Sequence, residues 1–325
     1  MTAVSSRLEG LFGLDPATYR QHPLHAGDRS YPETNCYADV IIELLHARGD
    51  EPLAAMGTTA RLDFEGDQWT FFKPDPADLE ALFGVDIHEM QPYRPIPVEV
   101  AELLAVGRTM TVELDAWFLP DTASTSYRTE HVKTTVIPEA IDPAAGRMHY
   151  FHNGSLYALD GDDYRGIFRL DTADRATLPP YTELVRFDSG PRLTGAALRE
   201  AARDRLRAHL ERVHPGNPFD RFGARLADDL PDLLAGDEAG YHAYAFATVR
   251  MAGAGFDLLA SHVDWVLPDD AGAAEAAAGF RRIVDASKML NFKLARRRAF
   301  DPAPAVEAMA TDWTAAMASL RQAID

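Results

Sequence analysis

Near residue 190 the hydrophobic pattern of the 325-residue chain changes period, and no other feature limits its fold as much. Before that point, short runs of alternating or β-branched residues are separated by Gly-, Pro- and Asp-containing turns, the pattern of half-buried strands. Residues Thr109–Asp115 alternate cleanly, and 69–73, 85–90, 131–137, 147–153, 156–159 and 183–187 also read as strands. The turn Asp142-Pro-Ala-Ala-Gly146 makes 131–137 and 147–153 the arms of a hairpin. Short helices are expected at 4–12, 76–83 and 98–105. After residue 190 apolar residues recur every three or four positions. Leu198, Ala202, Leu206, Leu210 and Val213 mark one helix face, and Val306, Met309, Trp313, Met317, Leu320 and Ile324 another. Helices are expected at 219–230, 239–266 and 273–298 between them. The expected class is α+β, with a mixed domain over 1–190 and an all-helical domain over 191–325.

The single cysteine, Cys36, lies in Tyr31-Pro-Glu-Thr-Asn-Cys-Tyr-Ala-Asp39, just before a helical stripe of Val40, Ile41, Leu44 and Leu45 that stops at Gly49. One cysteine makes neither an internal disulfide nor a multi-thiolate zinc site. At a helix start, free backbone N–H groups and the positive end of the dipole favour the nucleophilic thiolate. An inert buried thiol is the competing reading.

A formal net charge of −18 argues against nucleic acid as a main partner. No run approaches the length of a membrane span and no leader pattern opens the chain, so a cytoplasmic protein is expected. Local basic patches remain. Arg199, Arg203, Arg205, Arg207 and Arg212 are interleaved with acids and read as a solvated helix face, whereas Lys288, Lys293, Arg296, Arg297 and Arg298 have no acid among them.

A cysteine nucleophile needs a base, and the base an orienting group. His131 opens one arm of the hairpin and Asn153 closes the other, so Cys36, His131 and Asn153 follow in the order helix, strand, next strand. The roles would be thiolate attack, proton transfer and orientation of the imidazole. The Cys36 N–H and the Asn35 side chain would stabilise an oxyanion, with Asn35 equally suited to cap the helix. Tyr37 stands beside them. Tyr241, His242 and Tyr244 form a helical cluster able to line a pocket or to serve as core. His149 and His152, three apart on a strand, face opposite ways and do not share a metal. No metal site or glycine-rich phosphate loop is expected.

The blocks Glu33-Thr-Asn-Cys-Tyr-Ala-Asp39, Leu62-Asp-Phe-Glu-Gly-Asp-Gln68, Val112-Glu-Leu-Asp-Ala-Trp117, Leu119-Pro-Asp-Thr122, Glu130-His-Val-Lys-Thr-Thr135, Tyr150-Phe-His-Asn153 and His242-Ala-Tyr-Ala-Phe-Ala-Thr248 resemble the bacterial family catalogued as domain of unknown function 1839. More distantly, the cysteine helix and His131 hairpin resemble butirosin-type aminoacyltransferases and bacteriocin-processing cysteine peptidases, both papain-like. The resemblance implies a papain-like domain in which Cys36, His131 and Asn153 are catalytic. It also implies a carrier protein, whose phosphopantetheine thioester donates an aminoacyl group to an amine acceptor, with no cofactor bound by the chain itself. Carrier docking would fall to the 288–298 patch. Two departures stand out: Asn153 replaces the Asp usual in the peptidases, and Ser30 occupies the place of their oxyanion Gln. A peptidase or amidase, and a non-catalytic binding module on the same scaffold, are the alternatives.

Overall fold

A computed structural model describes residues 8, 10–171 and 178–325. In chain order the elements are α1 (Cys36–Ala47), β1 (Phe64–Glu65), β2 (Gln68–Trp69), α2 (Pro76–Phe83), β3 (Asp86–Met90), α3 (Ile96–Ala105), β4 (Thr109–Asp115), β5 (Lys133–Asp142), β6 (Arg147–His152), β7 (Ser155–Asp160), α4 (Gly161–Ile167) and β8 (Thr182–Arg186). Then come α5 (Gly195–Glu211), α6 (Pro218–Ala235), α7 (Glu238–Ala245), α8 (Met251–Val266), α9 (Ala271–Ala295) and α10 (Ala303–Ile324). The class is α+β, sheet-rich first and helical after. Most of the helix expected at 4–12 lies outside the described residues, and Gly10 instead bridges to Ala140.

The chain forms two compact units. Residues up to Gly27, Asn35–Pro52 and Leu79–Arg192 make a sheet unit, while Asp28–Thr34, Leu53–Asp78 and Leu193–Asp325 make a helical one. Two short segments that precede residue 190, Asp28–Thr34 and Leu53–Asp78, thus pack with the helices. The β1–β2 hairpin explains part of this: Phe64 and Trp69 meet Phe219, Phe222 and Phe256 of α6 and α8, and their rings are buried in the helical core. The strand expected at 69–73 is thus only the second arm of this two-residue pairing.

In the sheet unit six antiparallel strands run in the order β3-β8-β4-β5-β6-β7. One face carries α1. Against the other lie α3 and α4, where Val100, Tyr164 and Ile167 close over Val112, Val136 and Tyr150. Helix α1 forms because Asn35 caps its start, the side chains of Val40, Ile41, Ile42, Leu44 and Leu45 are wholly buried, and Gly49 takes the left-handed φ of 79° just past its end.

In the helical unit the stripe from Val306 to Ile324 on α10 is buried throughout. On α5, Leu198, Ala202, Leu206 and Leu210 are buried, while Val213 falls beyond the helix end and is half-exposed. The helix expected at 239–266 is interrupted by a π-helical turn, Phe246–Arg250, between α7 and α8. Among the described residues no helix is long and apolar enough to cross a membrane.

Candidate functional site

Cys36 is the first residue of α1. The Asn35 Oδ1 accepts hydrogen bonds from the N–H groups of Tyr37 (3.2 Å) and Ala38 (2.9 Å), so Asn35 acts as the helix cap. The Cys36 N–H, at the first helical position, has no partner among the described residues. The thiol is half-buried and its S–H donates to Thr135 Oγ1 at 3.6 Å. Tyr37 is buried and donates its hydroxyl to Glu183, and burial, then the Glu183 charge, raise its pKa. Glu183 is also held by the hydroxyls of Thr111 (2.9 Å) and Tyr181 (3.1 Å). Tyr37 is therefore turned toward β8, not toward the thiol's hydroxyl partner on β5.

His131 is not brought to Cys36. Strand β6 ends at His152, which faces Val136, and the chain turns back at Asn153, whose φ is 45°. Strand β5 runs on alone beside β4, pairing Thr135 with Glu113 and Lys133 with Asp115. Asn153 thus comes one step past the Val136–His152 pair, while His131 lies four residues beyond Thr135 along the chain, about 13 Å at ~3.3 Å per residue. There its Nδ1 donates to Asp115 Oδ2 at 2.6 Å, and its ring stacks on Trp117 with centroids 4.5 Å apart. Since a carboxylate only accepts, Nδ1 is the donor in this pair. Lys133 pairs with Glu113 at 2.7 Å between the two sites. Thr135, Lys133 and His131 therefore form a polar row on one face of β5, with Cys36 at one end and the His131–Asp115 pair at the other.

Two buried histidine networks flank this row, and the sequence reading missed both. On the α1 face, His25 is gripped by Glu43, which also accepts from the His22 N–H (2.9 Å) and the Tyr19 hydroxyl (2.5 Å). The other ring nitrogen of His25 lies 3.4 Å from Asp39, one helical turn after Cys36. Burial alone would lower the His25 pKa, but the hydrogen bonds and charges of Asp39 and Glu43 outweigh it and raise the pKa to about 9. A Cβ on Gly154 would stand 2.7 Å from the His25 ring, so the Asn153–Gly154 turn also closes on this cluster. On the opposite face, Asp121 Oδ2 accepts from His152 Nδ1 (2.5 Å), whose Nε2 accepts from Thr134 (2.7 Å). That Asp–His–Thr line has the order of a hydrolytic triad, but His152 is 1% exposed and Thr134 6%, so it braces the core rather than meeting solvent. Its three members lie in the Leu119–Thr122, Glu130–Thr135 and Tyr150–Asn153 blocks, which supply Asp121, Thr134 and His152.

A model of the DUF1839 N-terminal domain matches residues 20–187, and a model of the DUF1839 C-terminal domain matches 195–322. The chain belongs to the DUF1839 family. No curated protein matches it.

In the helical unit, Tyr241 and Tyr244 line a cavity of about 380 Å³ with Asp67, Arg225, Asp229 and Asp232, whereas His242 is exposed and close to Glu238. The arginines of α5 are largely structural: Arg205 binds Asp78, and Arg203 and Arg207 bind backbone carbonyls at the end of α10. The residues Lys288, Lys293, Arg296, Arg297 and Arg298 are exposed at the C-terminal end of α9, beside exposed Met289 and Phe292. Lys288 reaches Ser30 at 3.0 Å, and Arg296 lies over the Phe292 ring.

Proposed function

We propose that Cys36 is the acyl-carrying nucleophile of a carrier-dependent aminoacyltransferase on a papain-like scaffold. The observation that carries this reading is a half-buried thiol at the first position of a capped helix, with the adjacent N–H unpartnered as an oxyanion donor requires. The partner of the thiol is a hydroxyl rather than an imidazole, and this bears on the donor. Expelling an amine from a peptide requires an acid at the leaving nitrogen, whereas a thioester releases a thiolate comparable to the one attacking. A thioester on a carrier protein's phosphopantetheine therefore suits this site better than a peptide bond. The Cys36 sulfur would attack the carbonyl carbon, the carrier thiolate would leave, and an amine would then take the acyl group and release Cys36. The basic end of α9, with Met289 and Phe292, would receive an acidic carrier.

The distance between Cys36 and His131 favours a second reading, a binding module without catalysis. Intact-mass spectrometry after incubation with a panel of aminoacyl-loaded carrier proteins separates the two. The enzyme reading expects an acyl adduct on the wild type that is absent in Cys36→Ala and persists in His131→Ala. No adduct with any carrier supports the module.

A further inference from the structure

We propose that a cleft beside β4 and β5 in the sheet unit is a binding site for a small apolar monocarboxylate. The cleft encloses about 570 Å³ and is lined by Ile96, Leu114, Phe118, Ile167 and Phe168, which continue the hydrophobic core between the sheet and α3 and α4. Val132, also on its wall, is 38% exposed. Pockets of this size, mostly apolar with a few polar groups on the rim, are the usual form of small-molecule sites.

The rim selects the charge of the ligand. Of its three cationic or ionisable nitrogen groups, Lys133 is engaged by Glu113 and His131 by Asp115. Arg169 donates to the Leu178 carbonyl at 3.2 Å and faces no carboxylate among the described residues. A planar guanidinium with donors to spare is the group that fixes a carboxylate in two-pronged fashion. An apolar body on the floor and a carboxylate on Arg169 satisfy both halves of the cleft at once. An amine of the same shape would instead meet the guanidinium as a like charge.

Calorimetric titration of the full chain with octanoate, 1-octanol and octylamine tests this, and Cys36→Ala titrated alongside keeps it separate from acyl transfer. Octanoate is expected to bind one to one, more tightly than 1-octanol or octylamine, and equally well to Cys36→Ala. Arg169→Gln should weaken octanoate at least tenfold while leaving 1-octanol unchanged, and Val132→Asp should abolish binding of both. Both positions are exposed or nearly so, and an unchanged thermal melt confirms that each variant is folded. Failure of octanoate to bind the folded wild type at millimolar concentration, equal binding to Arg169→Gln, or 1-octanol binding as tightly as octanoate would overturn the proposal.

Discussion

The His25 cluster makes stability depend on pH in a direction that can be measured. His25 is 4% exposed between Asp39 and Glu43, and its pKa is raised from 6.5 to about 9. The folded protein therefore keeps a proton that the unfolded chain has released. Its contribution is complete below pH 6.5, falls by about 1.4 kcal/mol per pH unit above that, and is gone once pH passes about 9, a loss of about 3 kcal/mol. Urea unfolding at intervals from pH 5.5 to 9.5 reads this slope. The comparison is the triple variant His25→Gln/Asp39→Asn/Glu43→Gln, which removes the titrating group without stranding either carboxylate beside it. Subtracting the two curves cancels the other titrating groups. A wild-type curve parallel to that of the variant across pH 6.5–9 would refute the reasoning, as would a difference that grows toward acid.

His262 should act in the opposite sense. It is buried and donates to the Leu53 carbonyl at 2.7 Å, and burial lowers its pKa to about 4. The folded state refuses a proton that the unfolded chain binds, so about 3 kcal/mol is lost as pH falls from 6.5 to 4; His262→Asn should flatten that acid limb in the same unfolding series. Gly166 faces the Phe118 ring so closely that a Cβ would lie 2.2 Å from it. Gly166→Ala should cost about 1–3 kcal/mol by overpacking, seen as a lower thermal midpoint, with a changed octanoate affinity because Phe118 lines the same cleft.

Much of the fold was legible because local signals agreed with the tertiary outcome. Asn35, the Val40–Leu45 run and Gly49 define α1 at both ends, and Thr109–Asp115 forms β4 at the bounds its alternation indicates. The pairing of His131 with Cys36 failed for a reason that hairpin geometry makes plain. His131 lies eleven residues before Asp142, the end of one arm, while Asn153 lies six after Arg147, the start of the other. Arms joined by one turn pair at nearly equal distances from it, so His131 overshoots Asn153 and finds Asp115 on β4 instead. The bulge between Pro138 and Ala140 was not legible, because its cause is remote. Glu139 at that bulge is fully buried and accepts hydrogen bonds from the N–H groups of Phe12 and Leu14, more than 120 residues away in sequence. Likewise, no local pattern reveals that β1 and β2 belong to the helical core.

The sheet order has a consequence for synthesis. Strand β8 lies between β3 and β4, yet it is the last strand of the unit to leave the ribosome. Until Arg186 has emerged, β3 has no neighbour in the sheet, and the edge of β4 that β8 will cover stays open. The hairpins β4-β5-β6-β7 can zip up as they appear, since each pairs with the strand before it. The nascent chain therefore carries a four-stranded sheet with an open flank for as long as translation takes to cover residues 161–186, and unpaired edges of that kind are where growing chains aggregate. Closing the sheet is the last act in making this unit, and it is carried out by its final strand.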